Sequence, residues 1–251
     1  MRRAPVLLAF DTSTVTAVVA VGRGARTLAV RHEPAPRAYD EGLLPRIASA
    51  LHEASVEPRE LDAVACGRGP GSFTGLRIAL ATAKGFAFAL DVPLLLVSST
   101  AATALGAGDA ASVVVVLDAK RGQLYAQTFR LAPAARGQGR LRRPLEAGGE
   151  IVEPHGLVAW IASRGLPSPI ALVGDGLPAA LEGTGSLPGG MSARDIAHPP
   201  GACLYELARR ELAARRFAPL DAAEPDYIRP PPFHPPSART RGALGSRSPM
   251  R

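Results

Sequence analysis

The chain has 251 residues, 47% of them hydrophobic and 20% charged, with a mean hydropathy of +0.09. That is enough for one large domain or two small ones and too apolar for a disordered chain. The net charge of +7 suggests nucleic acid, but five of those charges are arginines 229, 239, 241, 247 and 251 in a Pro/Ser/Gly/Arg-rich end that holds no acid. Such a stretch cannot bury enough apolar surface to fold alone, and it either meets phosphates or stays solvated. Cys66 and Cys203 stand far apart with no CxxC or CxxH context, which excludes a zinc ribbon and fits a reducing, cytoplasmic setting. The start, MRRAPVLLAF, has the basic-then-apolar look of a signal sequence, but Asp11 and three hydroxyl residues end the run early. No uninterrupted apolar segment approaches the ~20 residues of a membrane helix; Ile78 to Val97 is cut by Lys84, Asp91 and Pro93.

In chain order, Val6 to Phe10, Ala17 to Val21 and Thr27 to His32 read as strands separated by tight turns, an antiparallel meander. Glu41 to Ala54 places Leu43, Leu44, Ile47 and Leu51 at helical spacing. Asp62 to Cys66 is a strand, Gly75 to Leu90 a helix and Pro93 to Ser98 a further strand, giving the order βββαβαβ of a ribonuclease-H-like half. A second, smaller half is expected after a boundary near Gly106: strands at Val113 to Leu117, Gln123 to Leu131 and Ile170 to Val173, a loop from Ala132 to Gly149, and a helix from Leu204 to Arg215. Leu117-Asp118 echoes Phe10-Asp11, so the halves are either a duplication or two unrelated strands ending in Asp. The expected units are 1–106, 107–228 and a tail, 229–251.

The most structured local signal is Cys66 to Leu90, CGRGPGSFTGLRIALATAKGFAFAL. Its glycines do not fit a Walker A loop, which needs Lys-Ser/Thr after the last glycine, nor a dinucleotide fingerprint, which needs glycine at Ser72. Two readings remain. The loop either presents N–H groups to an anion at a helix N-terminus, or shapes a strand-to-helix turn with Ser72 or Thr74 as N-cap. The helix beyond it is rich in small residues all round, which lets neighbouring backbones approach closely.

Four strings together resemble the bacterial TsaB (YeaZ) family of the sugar kinase, Hsp70 and actin fold superfamily. They are Ala9-Phe10-Asp11-Thr12-Ser13, GRGPGSFTGLR at residues 67–77, DAKRGQLY at 118–125 and EPDYIR at 224–229. The resemblance implies an α/β fold of two ribonuclease-H-like (actin-like ATPase) domains, the second degenerate. It further implies a subunit, without transferase activity of its own, of the machinery that forms N6-threonylcarbamoyladenosine at position 37 of tRNAs reading codons that begin with A. Its implied partners are a TsaD-like catalytic subunit and a TsaE-like ATPase, with self-association when alone and tRNA met only through the complex. The implied contact uses the two N-terminal helices, with Leu43, Leu44, Ile47, Leu51, Leu76, Arg77, Leu80, Ala81, Ala83 and Lys84 as candidates; glutamate at Ala81 or Ala83 should break it while sparing the fold.

TsaD-type relatives carry two metal-binding histidines on the first helix, and Pro36 to Leu44 contains none; the five histidines are scattered singly. Neither a metal nor a cofactor is expected, and nucleotide binding is expected to be weak or absent. If the interdomain cleft retains any, Asp11, Thr12, Ser13, Gly69, Gly71 and Ser72 are the residues placed to line it. Asp11, Asp118 and Asp175 each end a strand, so each is either a turn cap or a remnant of the metal-linked acids of actin-like kinases. An ATP-dependent small-molecule kinase is therefore the alternative to the scaffold.

Overall fold

The computed structural model describes residues 3–34, 42–132 and 143–228. The expected tail, 229–251, lies outside them, as does the stretch 35–41. Strands β1 (Val6–Asp11), β2 (Thr16–Arg23) and β3 (Arg26–Pro34) form the meander; helix α1 (Leu43–Glu53) leads to β4 (Ala63–Gly69), then α2 (Phe73–Leu90) and β5 (Leu94–Ser98). The sheet order is β3-β2-β1-β4-β5, with β1, β4 and β5 mutually parallel and β2 antiparallel to both neighbours. β1 is apolar from Val6 to Phe10, as befits a strand whose two faces are both covered, and ends in Asp11. Val6, Leu8 and Phe10 point to a core shared with α1 and α2, while Leu7 and Ala9 point to a core shared with the second half.

The second half repeats this plan. β6 (Ser112–Asp118), β7 (Leu124–Ala132) and β8 (Arg143–Val152) form a meander; α4 (Leu157–Ser163), β9 (Ile170–Val173), α5 (Leu177–Thr184) and β10 (Met191–Ala193) follow. Their order, β10-β9-β6-β7-β8, is that of the first sheet with β6 in the place of β1. Asp11 and Asp118 thus occupy equivalent strand ends, which favours duplication over coincidence.

The expected order lacks α4, α5 and β10, and two further elements differ from expectation. The stretch expected as loop up to Gly149 contains β8, an edge strand whose partner β7 supplies the pairing that its Gly- and Pro-containing sequence does not advertise. Directly after β5, α3 (Ser99–Leu105) is a short, fully buried helix wedged between the halves, with Ser98 as its N-cap.

Helix α6 (Gly201–Ala213) follows the second half in sequence but returns to the first. Tyr205 donates a hydrogen bond to the Gly24 carbonyl at 2.9 Å, the Gly201 amide donates to His32 Nε2 at 3.1 Å, and Ala218 pairs with Leu94. The segment from Gly201 to Ile228, expected in the second unit, therefore lies largely against the first. One continuous core of β1, β2, α3, β6, β7 and α6 side chains joins the halves.

By length and composition α2 is the one helix among the described residues that matches a membrane span, with 18 residues and a mean hydropathy of 1.3. Its buried face, Leu76, Ala79, Leu80, Ala83 and Ala87, covers the first sheet.

Candidate functional site

The loop between β4 and α2 is sewn onto the end of β1. A side chain at Gly67 would place its Cβ 1.7 Å from Asp11 Oδ2, one at Gly71 2.3 Å from the Ser13 carbonyl, and one at Gly75 1.9 Å from the Thr12 carbonyl. Only hydrogen fits in those gaps. The Ser72 amide donates to the Ser13 carbonyl at 2.7 Å, and the Thr12 hydroxyl donates to the Gly75 carbonyl at 2.7 Å. Ser72 is the N-cap, its Oγ accepting from the Gly75 amide at 3.3 Å. Of the two readings of the loop, the strand-to-helix turn describes these contacts, and two of the amides near the helix start are spent within the chain.

Asp11, Thr12 and Ser13 are buried, and Asp11 exposes no surface. Its Oδ1 accepts from the Ser13 amide at 2.7 Å and the Ser13 hydroxyl at 2.6 Å, while Oδ2 accepts from the Ser99 hydroxyl at 2.5 Å. Ser99 in turn accepts from the Gly69 amide at 3.0 Å. Burial holds the Asp11 carboxyl above its ordinary range, opposed by the bonds from Ser13 and Ser99. Burial likewise pushes the neighbouring Cys66 thiol up, helped by Asp11, so it is a poor nucleophile. The six cleft candidates, Asp11, Thr12, Ser13, Gly69, Gly71 and Ser72, are thus brought together, chiefly as packing for one another.

At the equivalent end of β6, Asp118 is a turn cap. It accepts from the Lys120 amide and ammonium, both at 2.7 Å, and these bonds hold its carboxyl below the usual range despite partial burial. The turn is tight enough to place Lys120, Arg121 and Gly122 in the left-handed region at φ 64°, 59° and 74°. Asp175 accepts from the Asp118 amide at 3.2 Å, and burial raises its carboxyl. Among the described residues no three His, Cys, Asp or Glu side chains gather as a metal cluster.

The partner-binding candidates divide sharply. Leu43, Ile47, Leu51, Leu76, Leu80 and Ala83 are buried, so they chiefly shape the helices, although Ile47 and Leu51 also edge a surface groove. Ala83 in particular has no exposed area, and glutamate there would strike the core, contrary to expectation. Leu44, Arg77 and Ala81 are exposed and Lys84 is partly so. The fold adds a residue that sequence reading missed: Phe88, 81% exposed, next to Leu44 at 60% as the large apolar groups left open on these two helices. Its spacing from Arg77, Ala81 and Lys84 was the available signal. Along α1 and the turn after it runs a groove of about 360 Å³ lined by Leu44, Ile47, Leu51, His52 and Val56, with Phe86 from α2.

The C-terminal motif closes over the start of α2. Arg68 Nε lies 2.9 Å from Asp226 Oδ2, and the Asp226 amide donates to the Arg68 carbonyl at 2.7 Å. The Tyr227 ring packs 5.0 Å from that of Phe73. Two of the four sequence strings thus form one structure.

Solved structures share this fold. A Pseudomonas aeruginosa protein described as similar to peptidase YEAZ superposes with a TM-score of 0.73 at 31% identity, covering 90% of this chain and all of that one. The chain belongs to the TsaB (YeaZ) family. YeaZ from the same organism superposes at 0.71 with 30% identity, over 89% and 99% of the two chains. Among curated TsaB-family relatives, the tRNA threonylcarbamoyladenosine biosynthesis protein TsaB of Haemophilus influenzae is 39% identical over 123 residues, 47% of this chain and 51% of that protein. The TsaB of Escherichia coli is 34% identical over 122 residues, 47% and 52%. The matched region thus spans about half the length of these curated relatives. A family model, TsaD, tRNA N6-adenosine threonylcarbamoyltransferase, matches residues 30–136.

Proposed function

We propose that this TsaB-family chain takes part in threonylcarbamoyladenosine formation on tRNA as a non-catalytic scaffold. It binds a TsaD-like catalytic subunit, which transfers the threonylcarbamoyl group to N6 of adenosine 37, and a TsaE-like ATPase. It self-associates when alone and meets tRNA through the complex. The names of its TsaB relatives and the match to a TsaD model support the pathway. The observation that carries the scaffold reading is the contrast between two places. The Asp11 cluster is filled by the chain's own hydroxyls and amides, whereas the outer faces of α1 and α2 leave Leu44, Ala81 and Phe88 open. An apolar face of that kind is the ordinary form of a protein-binding surface. Nucleotide binding by this chain alone is weak or absent in this reading.

Reconstitution tests it. The full chain, the TsaD-type and TsaE-type subunits of the same genome and threonylcarbamoyl-adenylate are incubated with unmodified tRNA, and modified adenosine is counted with and without the chain. Modification that depends on the chain, together with co-elution of the chain and the TsaD-type subunit, is the expected result. Unchanged modification without it overturns the scaffold. Tight ATP–Mg²⁺ binding by the chain alone, lost in Asp11→Asn, would favour a kinase.

A further inference from the structure

Thr74, Arg77, Ala81, Lys84 and Phe88 recur at intervals of three and four, so they form one outward stripe on α2. α2 contains no acidic residue. Of the described arginines of the first half, five have carboxylates, among them Arg31 and Arg46, which share Glu33, and Arg68, which reaches Asp226; Arg26 and Arg59 do not. Among the described residues Arg77 and Lys84 have none. Arg77 is nonetheless held in place. Its guanidinium lies 4.0 Å over the Phe73 ring, and its Nε donates to the Tyr227 hydroxyl at 3.1 Å. An exposed guanidinium fixed by stacking and one hydrogen bond, with donors left over, is preorganised for an oxyanion. Further along, Gly85 is exposed and a Cβ there would meet nothing within 4 Å, so the monomer gives no reason for a residue that weakens a helix.

We propose that this stripe receives a helix of a partner protein that carries one carboxylate opposite Arg77 and another about 10 Å away, two turns on, opposite Lys84. Tyr227 is a positioning residue that holds Arg77 ready for it. The proposal rests on the scaffold reading above and adds the chemistry by which the TsaD-like subunit is selected. Exposed Phe88 and the open space at Gly85 suit the apolar flank of a helix rather than a phosphate chain. A second copy fits less well: its own α2 offers cations to cations, and Glu53 on its α1 already reaches Arg31 at 3.4 Å.

Calorimetry of the full chain with the TsaD-type subunit of the same genome, at low and high salt, tests this with Arg77→Glu, Lys84→Glu, Arg77→Lys and Tyr227→Phe. Each charge reversal is expected to raise Kd by about tenfold or more at low salt, less at high salt. Tyr227→Phe keeps the ring against Phe73 and loses the hydroxyl, and it is expected to raise Kd about threefold while adding nothing to Arg77→Lys. Self-association, followed by sedimentation, is expected not to weaken in the reversals. Equal heterodimer affinity in wild type and reversals overturns the proposal, as does a reversal that weakens only the homodimer or only tRNA retention. Lys84→Glu lies outside the Tyr227 contact and keeps the test open if Arg77→Glu melts low. If the wild-type chain itself does not bind the TsaD-type subunit, the scaffold reading fails, and this one with it.

Discussion

The Asp11 carboxylate and the Ser99 hydroxyl, 88 positions apart, share a 2.5 Å hydrogen bond inside a site closed to water. Ser99 passes the contact on to the Gly69 amide, so one acid ties β1, the first turn of α3 and the glycine loop together.

That burial has a pH signature. A carboxyl whose folded pKa is raised binds its proton more tightly in the folded state, so its contribution to stability is full at low pH and is lost as pH rises from the ordinary value of 3.8 through the raised one. Asp11→Asn removes the titration. Urea midpoints across pH 4 to 8 are expected to fall more steeply for wild type than for the variant; parallel curves would refute the assignment.

His32 gives the opposite slope. Burial lowers its pKa from 6.5, with His198, whose ring centroid is 4.8 Å away, adding to the effect, and its Nε2 accepts from the first amide of α6. As pH falls below about 6.5 the unfolded chain takes up the proton first, so this part of the stability is lost on acidification. His32→Gln, which keeps an acceptor, is expected to flatten the loss between pH 7 and 5 in thermal melts.

The glycines separate by what surrounds them. Gly75→Ala drives a methyl into the Thr12 carbonyl and is expected to cost about 2–4 kcal/mol in chemical denaturation. Gly85→Ala meets nothing and is expected to stabilise the isolated chain by about 1 kcal/mol.

Ala81 and Ala83 differ in the same way. Ala81→Glu is expected to keep the wild-type melting temperature and to lose the heterodimer on size-exclusion chromatography, because its site faces outward. Ala83→Glu buries a charge against β4 and is expected to give little folded protein.

The amino-acid order alone determined the meander, both long helices of the first half and the start of the second, because alternating and 3.6-residue apolar periods are local properties. It also marked the glycine loop, whose residue types are tied to turns and close approaches, while the EPDYIR string stood out only through the family resemblance. It did not mark β8, whose pairing comes from β7, α3, seven residues with no punctuation between it and β5, or the short α4, α5 and β10. Nor could it divide α2. A helix with small and apolar residues on every side has no face of its own until a sheet covers one, and only then do Leu76, Leu80 and Ala83 become core while Ala81 and Phe88 remain outside. The tertiary structure alone decided that Asp11 is spent on Ser13 and Ser99. It alone brought Tyr227 across 150 positions to Arg77, because contacts between distant segments depend on where β1, β4 and α6 stack and leave no periodic trace in the sequence.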